Sequence, residues 1–204
     1  MLFAGDSKTT IRTGAKLILK WFKNRRRKQI NARPVPAEWH KIIESRLPCA
    51  ARLPLPLQDE LLKTTQIFIA EKHFEGCKGF DITDDVRVTI AAQACILLLN
   101  RKTDIFPKLK TILVYESAFY AEQEDFDEDG LIGVPEEASA GESWDIGVVI
   151  LAWEEILRGL RHQHDGYNVI IHEFAHQLDH EHREIDTLPT PDARSLYPRC
   201  RELC

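Results

Sequence analysis

The stretch NVIIHEFAHQLDHEH, residues 168–182, places two histidines four residues apart, with a glutamate directly after the first. At about 100° per residue of helix, His172 and His176 lie about 40° apart on one face, and Glu173 lies at the edge of that sector. Asn168 or Asp165 can cap the start of this helix. The apolar positions that can hold such a helix rigidly are Val169, Ile170, Phe174, Ala175 and Leu178.

The spacing suits a zinc site, because two neutral imidazoles bind the ion at about 2.0–2.1 Å and leave a position for water. Water on such a metal has a pKa of about 7, so Glu173 can take its proton and pass it to the leaving nitrogen of a peptide. The alternative is two histidines packed or solvated on an ordinary helix, since HExxH also occurs by chance. A preceding strand, an apolar helix and the nearby Asp179 favour the metal site, with His172 and His176 as ligands.

Further polar residues flank this motif. Asp179 can orient a liganding histidine as a hydrogen-bond acceptor. His182 has the spacing of the third metzincin histidine, but Asp179 stands where those enzymes need glycine, and in a continuing helix His182 points away. His180 lies one turn further on, and a straight helix cannot wrap three turns around one ion. We expect His162 and His164 to be solvated in a polar loop.

Four segments carry a resemblance to a known family: GCKGFDITDDVRVTIAAQACILLLNR, LKTILVYESAF, GESWDIGVVILAW and DGYNVIIHEFAHQLD. Together they resemble the Mlc titration factor A family of zinc-dependent peptidases, over most of residues 58–179. The resemblance implies a zincin-like α+β fold, a zinc cofactor, aminopeptidase-type hydrolysis of peptides and a cytoplasmic setting. It also implies a partner, because members of that family are associated with binding the Mlc transcriptional repressor.

The family's motif carries over as His172 and His176 for zinc ligands and Glu173 for the general base. Its third ligand is a glutamate on a later helix, within a segment similar to NPAEFFAV, which residues up to Cys204 do not contain. We therefore expect a chain truncated at its C-terminus, with weak zinc binding and little peptidase activity. The alternative is a non-catalytic regulatory protein that binds a repressor. Three acidic residues are expected to form a solvated helix end: Glu181, Glu184 and Asp186.

The segment IRTGAKLILKWFKNRRRKQI can form a basic amphipathic helix that lies on an anionic membrane. Its apolar run is too short to span a bilayer. A short apolar patch beside a charge run is common in soluble termini, so the sequence favours a solvated helix or arm over membrane contact. The predicted organisation is a basic arm or helix over 1–33 and a zincin-like domain over 34–204.

The rest of the chain predicts an α+β domain with a small mixed sheet. Helices are expected over 39–46, from Pro56 to about His73, from about Thr83 to Asn100, and directly after Trp153. TILVY (111–115) and GVVILAW (147–153) are typical of strands. Because the helix that contains Cys95 is apolar nearly all round, it is expected to be buried, and Cys95 to be a packing residue.

Composition limits the functional classes. A net charge of -5 argues against a nucleic-acid-binding surface, and five cysteines without a CxxC pair suit a reducing compartment. DFDEDGLIGVPE, residues 125–136, has the spacing of a calcium-binding loop. Pro135 falls where the exiting helix should begin, so we expect an acidic surface loop that binds no calcium at micromolar levels.

Overall fold

The computed structural model describes residues 7–101, 103–117, 147–161 and 168–183, with the backbone alone for 7–17, 180, 182 and 183. The predicted acidic loop at 125–136 and the histidines at 162 and 164 lie outside these residues. The chain divides into two compact units between Pro34 and Val35. The first contains helix α1, Ser7–Asn31. Among the described helices, none combines the length and the apolar composition needed to cross a bilayer.

The second unit contains five described α-helices, which agree with the sequence prediction to within a few residues. Two short 3₁₀ helices, Pro48–Arg52 and Cys77–Gly79, connect some of them. The predicted helix over 83–100 ends early as an α-helix, and Asn100 has a positive φ of 58°. The helices are α2 (Ala37–Arg46), α3 (Leu55–Glu71), α4 (Asp84–Ile96), α5 (Trp153–Arg161) and α6 (Val169–Arg183).

Three described strands form one parallel sheet in the order β1-β2-β3: β1 (His73–Gly76), β2 (Thr111–Tyr115) and β3 (Val148–Ala152). The predicted β2 and β3 are confirmed, and an α+β class is consistent with this mixture of helices and a small sheet. The described sheet differs from the mixed one predicted, because β1 and β2 are joined through α4, a helical crossover that makes neighbouring strands parallel. The sequence prediction missed β1.

The core lies between one face of the sheet and the helices. Ile112 pairs in register with Val149, and Val114 with Leu151, and all four side chains are buried. Helix α4 packs against α2, α3 and α6, and every residue from 88 to 95 is buried. This confirms the predicted burial of α4, including Cys95. Ile150, which points to the other face of the sheet, is 45% exposed.

Gly147 makes the entry into β3 possible. Its φ is +76°, and its carbonyl oxygen accepts hydrogen bonds from the backbone N–H groups of Lys110 (2.7 Å) and Thr111 (3.2 Å). A Cβ at this position would lie 2.4 Å from the backbone oxygen of Lys108. The backbone therefore requires glycine here both for its conformation and for the close approach of the two segments.

We expect Gly147→Ala to destabilise the chain more than Gly79→Ala does. Gly79 has a similar φ of +82° but no atom within 4 Å of its would-be Cβ, so it isolates the cost of the backbone conformation. That cost is about 1–2 kcal/mol. At Gly147 the Lys108 carbonyl must also move. This weakens the nearby hydrogen bonds from Lys110 and Thr111 to the Gly147 oxygen and adds at least about 1 kcal/mol. Urea unfolding followed by circular dichroism measures both, and equal losses would contradict the steric argument.

Candidate metal centre

Asn168 starts helix α6 and attaches it to α4. Its Oδ1 accepts a hydrogen bond from the backbone N–H of Ile171 at 3.0 Å, which is the N-cap predicted from the sequence. Its Nδ2 donates to Oε1 of Gln93 at 2.6 Å, and Gln93 is buried on α4. The alternative cap, Asp165, lies outside the described residues. The start of the histidine helix is therefore fixed by a side chain of a different helix.

One face of α6 is inserted into the core. Ile170, Phe174 and Leu178 follow each other at intervals of four residues, and each is at most 1% exposed. The Phe174 ring lies 5.8 Å from that of Phe68 and 5.0 Å from that of Phe106, centroid to centroid. Since these residues occupy one side of the helix, the sector that contains the histidines is directed away from the core.

The structure brings His172 and His176 together. Their Nε2 atoms are 3.2 Å apart and their ring planes are inclined at 83°. His172 is exposed and His176 is half-buried, so the pair is accessible. Two nitrogens that each bind a tetrahedral zinc ion at about 2.0–2.1 Å lie about 3.3–3.4 Å from each other. The donor set therefore fits zinc; the same distance also allows one Nε2–H to donate to the other Nε2 in the metal-free chain.

Glu173 lies beside the pair and is half-buried. Burial raises the pKa of its carboxyl above the usual range, and positive charge on His172 acts in the opposite direction. Asp179 is half-buried on the same helix, three residues after His176. Among the side chains that the structure describes, no three His, Cys, Asp or Glu residues are arranged to hold a metal ion.

The prediction of a solvated helix end is wrong for Glu181, while Glu184 and Asp186 lie outside the described residues. Glu181 is only 6% exposed, and its Oε1 accepts a hydrogen bond from the backbone N–H of Lys108 at 3.2 Å. Burial raises the pKa of the Glu181 carboxyl; the Lys108 hydrogen bond and the charges of Lys72 and Lys108 lower it, and Asp104 raises it. Sequence pattern missed this role because Glu181 is followed by further charged residues. The sequence did contain one indication of burial: Glu181 follows Phe174 by seven residues and Leu178 by three, which places it on the buried face of the helix.

A second long-range contact supports the same loop. Lys72, directly after α3, donates from Nζ to the backbone oxygens of Phe106 (2.6 Å) and Leu109 (2.9 Å). Phe106 is fully buried and has a φ of +40°, which is strained for a bulky residue. Lys72, directly after α3, and Glu181, on α6, thus hold the loop that contains Phe106, whose ring contacts that of Phe174.

The amino-acid sequence of the chain matches a known protein family. The family described as glucose-regulated metallo-peptidase M90 matches residues 21–203, which is most of the chain. The chain belongs to the M90 family. The resemblance to the Mlc titration factor A family is thereby confirmed, since proteins of that name are among the relatives.

The chain matches only part of the length of its relatives. An uncharacterized protein of Synechocystis sp. is 41% identical over 179 residues, which are 87% of this chain and 65% of that protein. Mlc titration factor A of Cronobacter sakazakii is 29% identical, over 65% of this chain and 52% of that protein. The corresponding protein of Yersinia pestis is 26% identical, over 70% and 52%. The chain therefore spans between half and two thirds of the length of these relatives.

The cap of α6 can be tested by two substitutions at Asn168. We expect Asn168→Ala to cost about 2 kcal/mol, because it removes the cap and leaves the buried Gln93 amide without this partner. Asn168→Asp should cost less than about 1 kcal/mol, since a carboxylate still accepts from Ile171 and the Gln93 amide can rotate to donate. The measurement is the free energy of unfolding in urea. If both variants lose the same stability, Asn168 does not act through these hydrogen bonds.

The raised pKa of Glu181 predicts a pH-dependent stability. Because the folded pKa lies above the unfolded one, about 4.3, the protonated carboxyl stabilises the fold fully below that value. This contribution is lost as the pH rises through the folded pKa. Glu181→Gln should therefore gain stability relative to the unmodified chain as the pH rises from about 4 toward neutrality. Urea unfolding at a series of pH values measures this difference.

The control for that experiment is Glu44→Gln, at an exposed position on α2. Its stability difference from the unmodified chain should show no such trend with pH. A constant difference for Glu181→Gln across the same range would show that the carboxyl does not titrate differently in the folded state.

Proposed function

We propose that this chain forms the metal-binding part of a zincin-like, zinc-dependent peptidase that releases amino acids from peptides as an aminopeptidase. His172 and His176 would be zinc ligands and Glu173 the general base. The 3.2 Å separation of the two Nε2 atoms carries the proposal, because it nearly equals the separation expected of two ligands on a tetrahedral ion. Membership of a metallopeptidase family supports the same chemistry.

The surroundings of the pair suit hydrolysis. Zinc, when bound, polarises the peptide carbonyl and makes a water molecule more acidic. Glu173 follows His172 directly, so its carboxylate can accept a proton from that water and then donate it to the leaving nitrogen. Its half-buried position limits competition from bulk water. The buried face of α6 keeps these groups in place between the two proton transfers.

A cytoplasmic setting is part of the proposal. The sequence has five cysteines and no CxxC pair, which suits a reducing compartment. Burial raises the pKa of the Cys95 thiol far above its usual value. Cys95 therefore remains protonated and acts in packing rather than as a nucleophile or a ligand.

The names of two relatives favour a second candidate function. Both are called Mlc titration factor A, which suggests binding of a transcriptional repressor without turnover. Repressor binding does not need Glu173 as a base, whereas peptide hydrolysis does. The effect of Glu173→Gln therefore distinguishes the two functions: hydrolysis would be lost while binding of a repressor would be retained.

The ligand assignment is tested by measuring zinc affinity of the chain in competition with a chromophoric chelator. We expect His172→Ala and His176→Ala each to weaken zinc binding by at least about a hundredfold, since even residues behind the ligands contribute 10–100-fold. His40→Ala removes an exposed histidine on α2 and should leave affinity unchanged. Equal affinity in all three variants would exclude the pair as the zinc site.

Hydrolysis is tested on the same preparations with a chromogenic aminoacyl substrate. Glu173→Gln should retain zinc but reduce turnover by about 10²–10⁴-fold. A zinc-loaded chain without any hydrolysis of this substrate would favour the second candidate function, binding of a repressor without turnover. Turnover that survives Glu173→Gln would exclude Glu173 as the base.

A further inference from the structure

Helix α1 exposes an unusual concentration of apolar side chains. Ile18 is 58% exposed, Leu19 69%, Trp21 54% and Phe22 58%. Only two other large apolar residues are exposed in the described part of the chain, Leu55 and Ile150. Four of the six large apolar residues that are exposed in the described part of the chain thus lie within five consecutive positions. Such a concentrated patch marks an interaction surface more often than single exposed apolar residues do.

These four side chains lie on one side of the helix. At about 100° per residue, Phe22 is about 40° from Ile18, and Leu19 and Trp21 flank them, so the apolar sector covers about 160°. The opposite sector is basic, as it contains Lys20, Lys23 and Arg27. The helix is therefore amphipathic over this stretch.

Positive charge also continues along the axis. Arg25 and Arg26 lie one turn beyond the apolar patch, at directions that fall within or beside its sector. The guanidinium carbon of Arg25 is 5.4 Å from the centroid of the Trp21 ring, and the Trp21 and Phe22 rings contact edge to face at 4.9 Å. Helix α1 contains no acidic residue, whereas the whole chain has a net charge of -5.

We propose that helix α1 binds an anionic lipid bilayer and lies flat on its surface. Trp21 and Phe22 would enter the boundary between headgroups and acyl chains, where amphipathic aromatic rings are favoured. Arg25, Arg26 and Lys28 lie within or beside the apolar sector and would contact the anionic headgroups, while Lys20, Lys23 and Arg27 keep their charges in water. The positive charge of α1 favours an anionic surface. Its exposed aromatic rings favour a surface with an apolar interior, and an anionic bilayer has both properties.

The test is co-sedimentation of the whole 204-residue chain with phosphatidylcholine vesicles that contain or lack phosphatidylserine. Binding should require phosphatidylserine and weaken as salt is added, because the attraction between exposed charges is screened. Replacing Arg25, Arg26 and Lys28 together by Gln should weaken binding by about a hundredfold. Trp21→Ser with Phe22→Ser should weaken it by more than about tenfold, since two aromatic side chains no longer leave water.

Matched controls lie in the second unit. Lys41, Lys63 and Lys110, changed together to Gln, remove the same charge from exposed positions, and Leu55→Ser removes one exposed apolar side chain. Both control variants should bind within about twofold of the unmodified chain. Circular dichroism confirms that all variants remain folded.

Three outcomes would overturn the proposal. The first is no co-sedimentation with phosphatidylserine vesicles, and the second is equal binding to vesicles without anionic lipid. The third is binding that survives the Trp21 and Phe22 substitutions and is displaced by double-stranded DNA, which would show a purely electrostatic surface for polyanions.

Discussion

The contact of Phe174 with Phe68 and Phe106 determines which way His172 and His176 on helix α6 are directed. All three rings are fully buried, and each contacts the other two. A rotation of α6 by a single residue would turn it by about 100° and move a polar side chain into this cluster. Burial of a charged or unpaired polar group costs several kcal/mol, so the rotation is strongly disfavoured. The exposure of His172 follows from the packing of Phe174.

The aromatic cluster itself depends on polar contacts. Phe106 has a left-handed backbone conformation, which costs about 1–3 kcal/mol for a residue of its size. The ammonium group of Lys72 binds the Phe106 carbonyl oxygen, and Glu181 binds the next part of the loop at Lys108. Hydrogen bonds to charged groups contribute about 1.5–3 kcal/mol each, which is enough to offset this strain. The histidine helix α6, the loop around Phe106 and the end of α3 are therefore coupled to one another.

Local patterns in the sequence predicted the α-helices and two of the three strands that the structure describes in the second unit, because apolar periodicity indicates which side of an element is buried. They also predicted that His172 and His176 lie close together, because residues four positions apart are neighbours on a helix. They did not predict β1, because its sequence HFEG is only four residues long and includes Glu75 and Gly76, which are poor strand formers. Three contacts between residues far apart in the sequence were also not predicted: Asn168 with Gln93, Lys72 with Phe106 and Glu181 with Lys108. Sequence spacing within one element carries no information about a partner some 30–75 residues away.

Helices α1 and α6 use their apolar residues in opposite ways. In α6 the apolar face is buried, so its burial free energy stabilises the fold and leaves the polar face for chemistry. In α1 the side chains of Ile18, Leu19, Trp21 and Phe22 are more than half exposed, so most of that free energy is not gained. An isolated helix of this length is only marginally stable in water, and neighbouring positive charges at 25–28 repel each other. An anionic, partly apolar surface would bury these side chains and attract the neighbouring basic residues, and would thereby favour the helical state of α1.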